Sequence, residues 1–233
     1  MPLSGAPSLR VRLVRWVSPL VWRLPGHAAR KLHDFAGAEH GSMLELRAAA
    51  RLTSSPERQA LYLRHALDES RHAALFTRRS TTLRQSAGRA SLGLPRAQPE
   101  ELFERLGEVD FVAHVHRAER HGREQFEVYA ALFGRFGDAQ TRALFEGILA
   151  DERRHESYSW ALLVSLTGDE ALAKRTLARA AWRGAWAEWR RLGRAMGQRL
   201  YVLLMLTLYA SLAPLALLVR VLQPAARGWK TEP

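Results

Sequence analysis

The chain contains no cysteine among its 233 residues. This absence excludes a disulfide framework, a thiolate nucleophile, a cysteine-ligated zinc ion and an iron–sulfur cluster. It also excludes a rubredoxin-type electron relay within the chain. No flavin or haem motif is present either, so we expect any redox reaction of this protein to draw its electrons from a separate reductase.

Acidic residues are scarce relative to basic ones, with 23 Asp and Glu against 35 Lys and Arg, and the formal net charge is +12. This imbalance predicts an acidic partner, for which nucleic acid and anionic lipid are the usual candidates. No recognised nucleic-acid-binding motif accompanies the charge, so nucleic acid is the weaker alternative. The arginines lie beside apolar, tryptophan-rich stretches near both ends, and this placement favours lipid.

The N-terminal stretch LRVRLVRWVSPLVWRL, residues 9–24, interleaves four arginines with aliphatic residues, Trp16 and Trp22. A secretory signal is excluded, because charges interrupt the apolar run and no small-residue cleavage site follows it. We predict that residues 1–27 form a basic amphipathic segment at a membrane interface.

The C-terminal part has a basic, tryptophan-rich stretch at 169–199, followed by Leu200–Val219 without one charged residue. A helix of about 20 residues rises about 30 Å, the thickness of the bilayer hydrocarbon core. We predict an amphipathic helix over 169–199, a transmembrane helix over 200–222 and a tail over 223–233. The alternative is a buried C-terminal helix of a soluble bundle. Arginines before the span predict that the preceding part of the chain is cytoplasmic.

Strand signals are nearly absent from the middle of the chain, and apolar residues recur there at intervals of three and four. This periodicity predicts four helices, at 28–52, 56–79, about 108–136 and 138–167. The connections are short, long and short, and the long one (81–101) is rich in Gly, Ser, Pro and Arg. The pattern predicts an all-α four-helix bundle over 28–168 with one long crossover.

The string Asp-Glu-x-Arg-His occurs twice, at 68–72 and at 151–155. An Ala-Glu pair precedes each copy, with Glu39 lying 30 residues before Glu69 and Glu119 lying 33 before Glu152. This internal repeat predicts two helical hairpins, each with a glutamate on its first helix and Glu-x-x-His on its second.

Two such hairpins packed together bring four carboxylates and two imidazoles to one depth, because residues three apart share a helix face. Four ionised carboxylates in a dry core are too costly unless cations neutralise them. Oxygen and imidazole ligands without sulfur suit iron or manganese. We therefore predict two iron ions, with manganese as the alternative in either position. The predicted ligands and catalytic residues are Glu39, Glu69, His72, Glu119, Glu152 and His155.

The remaining residues of each string are predicted to support these ligands. A metal-bound histidine commonly donates its second N–H to a carboxylate, which fixes the ring tautomer. Asp68 and Asp151 are placed to accept this bond, each from the histidine of the opposite hairpin. Arg71 and Arg154 are expected to pair with these aspartates and to neutralise them.

Four further polar residues are alternative members of the site. Glu45 and Glu124 lie 24 and 28 residues from their partner glutamates, and this spacing favours surface or rim positions. His65 and His116 lie one helical turn before predicted ligands, and their spacing alone favours a solvent-facing position.

The two strings, each with a lone glutamate upstream, resemble those of the ferritin-like di-iron carboxylate superfamily. Their Asp and Arg positions are most similar to its oxygen-activating branch, the bacterial multicomponent monooxygenases and acyl-carrier-protein desaturases. The resemblance covers residues 28–167 and implies that the six predicted ligands bind iron, with Glu69 and Glu152 bridging. In size and membrane attachment the chain is similar to the demethoxyubiquinone hydroxylases. Those enzymes commonly carry a threonine where Arg120–Glu124 has no hydroxyl.

The resemblance implies a membrane-attached di-iron oxidoreductase that activates O₂ to hydroxylate or otherwise oxidise a lipid-like or quinone-like substrate. It also allows a homodimer. One alternative is a membrane-bound ferroxidase or a rubrerythrin-like peroxidase that handles iron or peroxide. A non-catalytic membrane scaffold is the other.

Overall fold

The computed structural model describes residues 9–222, so the predicted tail at 223–233 and the first eight residues lie outside it. This described part contains seven helices and no strand, which confirms the all-α prediction. The helices are α1 (Leu9–Val21), α2 (His27–Leu52), α3 (Pro56–Ser86), α4 (Leu102–Leu106), α5 (Glu108–Phe136), α6 (Ala139–Thr167) and α7 (Glu170–Leu222).

Local capping explains where the central helices begin. The Ser55 hydroxyl accepts a hydrogen bond from the Arg58 N–H, and Pro56 occupies the first turn of α3, where its missing N–H costs nothing. The Asp138 carboxylate accepts from the Thr141 N–H at 2.9 Å and caps α6 in the same way. These caps lie in the two segments that the sequence predicts as short connections.

Helix α3 is longer than predicted, since it ends at Ser86 and not at residue 79. The Ser and Thr residues of this last part do not interrupt the helix, because their hydroxyls bond to carbonyls within it. Thr82 Oγ1 donates to the Arg78 carbonyl and Ser86 Oγ donates to the Thr82 carbonyl, both at 3.0 Å. The crossover therefore begins at residue 87.

The central helices pack as two hairpins, α2 along α3 and α5 along α6, with further contact between α3 and α6. The crossover contains the short helix α4, which contacts both α2 and α5. Its preceding residues lie close to α2, where a Cβ built on Gly41 would stand 3.6 Å from the Ala97 Cβ. The predicted order of short, long and short connections is confirmed.

Two apolar clusters flank the middle of these helices. Aromatic residues dominate the first, which includes Phe35, Phe76, Phe126 and Phe145. The second includes Leu46, Tyr62, Phe111 and Leu163. On each of α2, α3, α5 and α6, the predicted ligands fall between residues of one cluster and residues of the other. The polar centre is therefore enclosed by apolar side chains at both ends.

The N-terminal helix is partly tied to this core. Trp22 is buried in the first cluster, with its ring 4.9 Å from that of Tyr129 and 5.0 Å from that of Phe133. Trp16 is 82% exposed. The interfacial role of residues 1–27 stays a prediction, but Trp22 serves as a core residue.

The chain divides into two compact units, Met1–Ala180 and Ala181–Pro233. In the described part of the second unit the chain is helical, and Trp182, Trp186 and Trp189 are exposed. Helix α7 carries a segment long and apolar enough to cross a membrane, with a mean hydropathy of 2.3 and none of that segment buried. The predicted helices at 169–199 and 200–222 form one continuous helix with Pro214 inside it.

Candidate metal centre

The six predicted ligands meet in the interior of the first unit. Glu39 comes from α2, Glu69 and His72 from α3, Glu119 from α5, and Glu152 and His155 from α6. All are buried except Glu39, which is half-buried. Their potential ligand atoms form two neighbouring groups, and Glu69 belongs to both.

The first group consists of Glu69, Glu119, His155 and one residue that is not among the six predicted ligands, His65. One ligand atom from each lies within 4.8 Å of the others. His155 Nδ1 is 3.4 Å from Glu69 Oε1 and 3.5 Å from Glu119 Oε2. Two carboxylates and two imidazoles from three helices thus converge on one small volume.

The second group consists of Glu39, Glu69 and His72, whose ligand atoms likewise lie within 4.8 Å of one another. His72 Nδ1 is 3.6 Å from Glu69 Oε2 and 3.5 Å from Glu152 Oε1. Glu152 is therefore beside this group. The two oxygens of Glu69 face different groups, which places this carboxylate between them.

Four buried atoms of the centre have no hydrogen-bond partner among the described residues: Glu69 Oε2, His72 Nδ1, Glu152 Oε1 and His155 Nδ1. A buried polar atom left unpaired costs about 1–3 kcal/mol, so such atoms are rare in folded proteins. All four belong to predicted ligands and are the atom types that coordinate iron or manganese. The donor set therefore fits a metal site, and a bound cation would satisfy each of these atoms.

The carboxylates cannot all be ionised without a cation. Burial, followed by the nearby charge of Glu69, raises the pKa of Glu39 well above its ordinary value. Burial and the charges of Glu119 and Glu69 raise the pKa of Glu152 to about 10. Burial opposes ionisation of Glu69 too, but the adjacent Glu39 carboxyl and the surrounding histidines hold the Glu69 pKa well below the usual range. Protons thus replace cations in the metal-free centre.

The outer nitrogen of each predicted histidine ligand is paired across the two hairpins. His72 Nε2 lies 3.2 Å from Asp151 Oδ2, and His155 Nε2 lies 3.1 Å from Asp68 Oδ2. With the Nε2–H donated to an aspartate, the lone pair of Nδ1 faces the centre. The contacts expected for Asp68 and Asp151 are present, although the ligand roles they would support stay predictions.

Two arginines bind both aspartates at once. Arg71 Nη2 donates to Asp68 at 2.9 Å and to Asp151 at 2.5 Å. Arg154 Nη2 donates to the same two carboxylates at 2.8 Å and 2.6 Å. Burial works against ionisation of the aspartates, but bonds from the histidines and Arg154 keep their pKa values below the ordinary one. This network joins α3 to α6 beside the predicted ligands.

The prediction that His65 faces solvent is wrong, since its side chain is fully buried. His65 Nε2 lies 2.6 Å from Glu69 Oε1 and 3.3 Å from Glu119 Oε1. Its Nδ1 lies 2.5 Å from the hydroxyl of Tyr158, a residue that the sequence analysis missed. The signal was available in the spacing, because a residue four before Glu69 shares its helix face.

Two other positions also differ from the sequence prediction. His116 is buried, and its Nδ1 lies 3.1 Å from both Ser159 Oγ and the Glu156 carbonyl, so it faces α6. Glu45 is buried, and its carboxylate accepts backbone N–H bonds from residues 100–102 of the crossover. The predictions that His116 faces solvent and that Glu45 lies at the surface or rim are therefore wrong. Glu124 is partly exposed and pairs with Arg120, as a rim residue should.

A glycine gives Glu152 the room that it occupies. Gly122 lies one turn after Glu119, and a Cβ built on it would stand 3.2 Å from Glu152 Oε2. The same turn contains Arg123, whose Nε donates to Glu156 at 2.5 Å. No hydroxyl of this turn is therefore available to the centre.

A cavity of about 370 Å³ lies between α2, α5 and the crossover, and Glu119 forms part of its wall. Small residues create the space, and they are Gly37, Ala38, Gly41, Ala97 and Ala118. Its volume falls in the range of small-molecule sites. The cavity thus connects one carboxylate of the centre with a space large enough for an organic ligand.

Comparison of the chain with protein-family models, curated proteins and solved structures gave no match. The interpretation of the centre therefore rests on its residues and their geometry. These establish an all-helical protein with a buried group of glutamates and histidines that could bind a metal.

Proposed function

We propose that this chain is a membrane-attached, ferritin-like di-iron oxidoreductase that uses O₂ to hydroxylate or otherwise oxidise a lipid-like or quinone-like substrate. The observation that carries the proposal is the convergence of four carboxylates and two histidines, four of which have an inward atom that is buried without a hydrogen-bond partner among the described residues. Two cations at this point would neutralise charges that the apolar surroundings make costly.

The predicted ligands divide between two metal positions. Glu119 and His155 would hold one ion, Glu39, His72 and Glu152 would hold the other, and Glu69 would contact both. Oxygen and nitrogen ligands without sulfur favour iron, with manganese as the alternative. When bound, a ferrous pair supplies the electrons that reduce O₂.

The surrounding residues hold the ligands ready for this chemistry. Asp68 and Asp151 fix the tautomers of the two histidines, and the paired arginines keep both aspartates ionised. The apolar clusters on either side exclude water and so prevent side reactions. These contacts give a rigid centre whose ligands need little rearrangement when metal binds.

The cavity beside Glu119 favours an organic substrate over iron storage. Its volume, about 370 Å³, suits a small ring or part of a chain, and most of its wall is small or apolar. A net charge of +12 argues against a mineral-storing protein, which would need acidic residues to gather cations. We therefore favour oxidation of an organic molecule over ferroxidase activity.

The apolar span of α7 supports membrane attachment, and the abundant arginines before it support a cytoplasmic position for the centre. A substrate dissolved in the bilayer would suit such a protein. Because the chain has no cysteine and no recognised cofactor motif, we propose a separate reductase as electron donor. A homodimer is compatible with this arrangement, and nucleic acid has no role in it.

The test uses full-length protein in bilayers, loaded with ferrous iron and supplied with O₂, a chemical or enzymatic reductant and a membrane lipid extract. The proposal predicts catalytic O₂ consumption that requires both reductant and extract, with an oxidised lipid product. Glu152→Ala should abolish it, whereas Glu124→Ala on the rim should not. Stoichiometric oxidation of ferrous iron, indifferent to the extract, would instead identify a ferroxidase.

A further inference from the structure

The two hairpins repeat the ligand string but differ in the residues directly around it. His65 lies four residues before Glu69, whereas the matching position before Glu152 is Ile148. Tyr158 lies three residues after His155, and the matching position after His72 is Leu75. The extra histidine and the extra tyrosine come from different hairpins, yet the structure brings them together on the same side of the centre.

The contacts of His65 are those of a member of the centre. Its buried Nε2 is 2.6 Å from Glu69 Oε1, and its ring lies over that of His155, with 3.7 Å between centroids and 35° between planes. At the matching position of the second hairpin, Ile148 packs into the aromatic cluster and offers no atom that could bind a metal. The difference between the halves is therefore chemical and lies next to only one of the two ligand groups.

We propose that His65 is a seventh metal ligand, which makes the two metal positions unequal. The position formed by Glu69, Glu119 and His155 would have two imidazoles, while the position formed by Glu39, Glu152 and His72 has one. This inference rests on the proposed function, since it assigns one more residue to the same metal pair. Because imidazole and carboxylate ligands differ in the metals that they suit, we expect the two positions to bind the same cation with different affinities.

Tyr158 is the positioning residue for this ligand. For His65 Nε2 to bind a cation through its lone pair, the ring proton must lie on Nδ1, which is 2.5 Å from the Tyr158 oxygen. With Nδ1–H donated to Tyr158, Nε2 is left free to face Glu69 and Glu119. The tyrosine thus serves His65 as Asp68 serves His155.

The experiment titrates Co²⁺ into metal-free, full-length protein in detergent, and measures bound metal per chain and the two dissociation constants. We expect two ions in the wild type with unequal affinities. His65→Ala should weaken one of them by more than about tenfold and leave the other unchanged, and Tyr158→Phe should weaken the same ion by about tenfold. The matched control is His116→Ala, a buried histidine one turn before Glu119 that should leave both constants unchanged.

A second measurement is spectroscopic. Anaerobic loading of the wild type with ⁵⁷Fe²⁺ should give two Mössbauer doublets of equal area, and replacement of His65 should change one doublet and leave the other as it is. His65→Ala with wild-type constants, or a single doublet in the wild type, overturns this inference and leaves the proposed function standing. A wild type that binds no metal overturns both. If His65→Ala does not fold, His65→Gln provides both the titration and the spectrum that is compared with the wild type.

Discussion

At the scale of single residues, the four central carboxylates have the same chemical group but different surroundings. The Glu39 carboxyl and the surrounding histidines favour the ionised form of Glu69, while burial and nearby charge raise the pKa values of Glu39 and Glu152. A divalent cation must displace the protons that these two groups carry. We expect metal affinity to depend on the exact placement of these carboxylates, and a substitution of Gly122 tests this for Glu152.

Gly122→Ala should weaken metal binding. The added methyl would stand 3.2 Å from Glu152 Oε2, so the carboxylate must shift by a few tenths of an ångström. We expect one Co²⁺ dissociation constant to rise by about tenfold. The control is Gly147→Ala on α6, where nothing lies within 4 Å of an added Cβ. That variant should keep wild-type constants and gain about 0.5–1 kcal/mol of stability. Equal metal binding by both variants would contradict the assignment of Glu152.

Asp138 provides a pH-dependent contribution to stability away from the centre. Its carboxylate binds Arg79 Nη2 at 2.7 Å and caps α6, and although burial opposes this, bonds from Thr141 and Arg79 hold the Asp138 pKa below its ordinary value. A lowered pKa stabilises the fold at pH values above the unfolded-state pKa of about 3.9. That stabilisation is lost as the pH falls through the folded-state pKa.

Asp138→Asn keeps the capping oxygen but removes the charge. We expect the variant to unfold at a lower temperature near neutral pH, with a loss of about 1 kcal/mol. The difference from the wild type should shrink as the pH is lowered below about 4. Thermal melts at several pH values measure it. A difference that is constant with pH would show that the Arg79 pair does not carry it.

At the scale of helices, the sequence predicts the four central helices better than it predicts the crossover between α3 and α5. The four central helices follow from apolar periodicity and from caps such as Ser55 and Asp138. The predicted end of α3 is wrong. Ser and Thr residues are typical of loops, but here their hydroxyls donate to carbonyls inside the helix. The burial of Glu45 could not be predicted, since the N–H groups that it accepts belong to a segment 55 residues away.

The cavity between α2, α5 and the crossover is the element-scale feature that the proposed function uses. Ala118→Leu should fill part of it beside Glu119 and lower turnover of the organic substrate by about tenfold or more, because displaced substrate loses its alignment. Bound metal per chain should not change. Ala131→Leu, also an exposed alanine on α5 but away from this cavity, is the control. Equal losses in both variants, or loss of metal from Ala118→Leu, would remove the cavity from the account.

At the scale of the whole molecule, the internal duplication made the centre readable from the sequence. Two copies of one string, each at a similar distance from a lone glutamate, located six of the seven residues that the structure brings together. The duplication could not reveal His65 and Tyr158, because each occurs in only one half. Nor does the apolar span of α7 identify a substrate, since its length and hydropathy show only that the helix could cross a membrane.

The central claim is that the buried acids of this chain hold a pair of divalent cations. The most direct test measures bound iron per chain after anaerobic loading of metal-free, full-length protein, compared with Glu69→Ala. Glu69 belongs to both ligand groups, so the account predicts two ions in the wild type and the loss of both in the variant, with Glu124→Ala retaining two. A wild type without tightly bound metal, or a Glu69→Ala variant that still binds two ions, would contradict it.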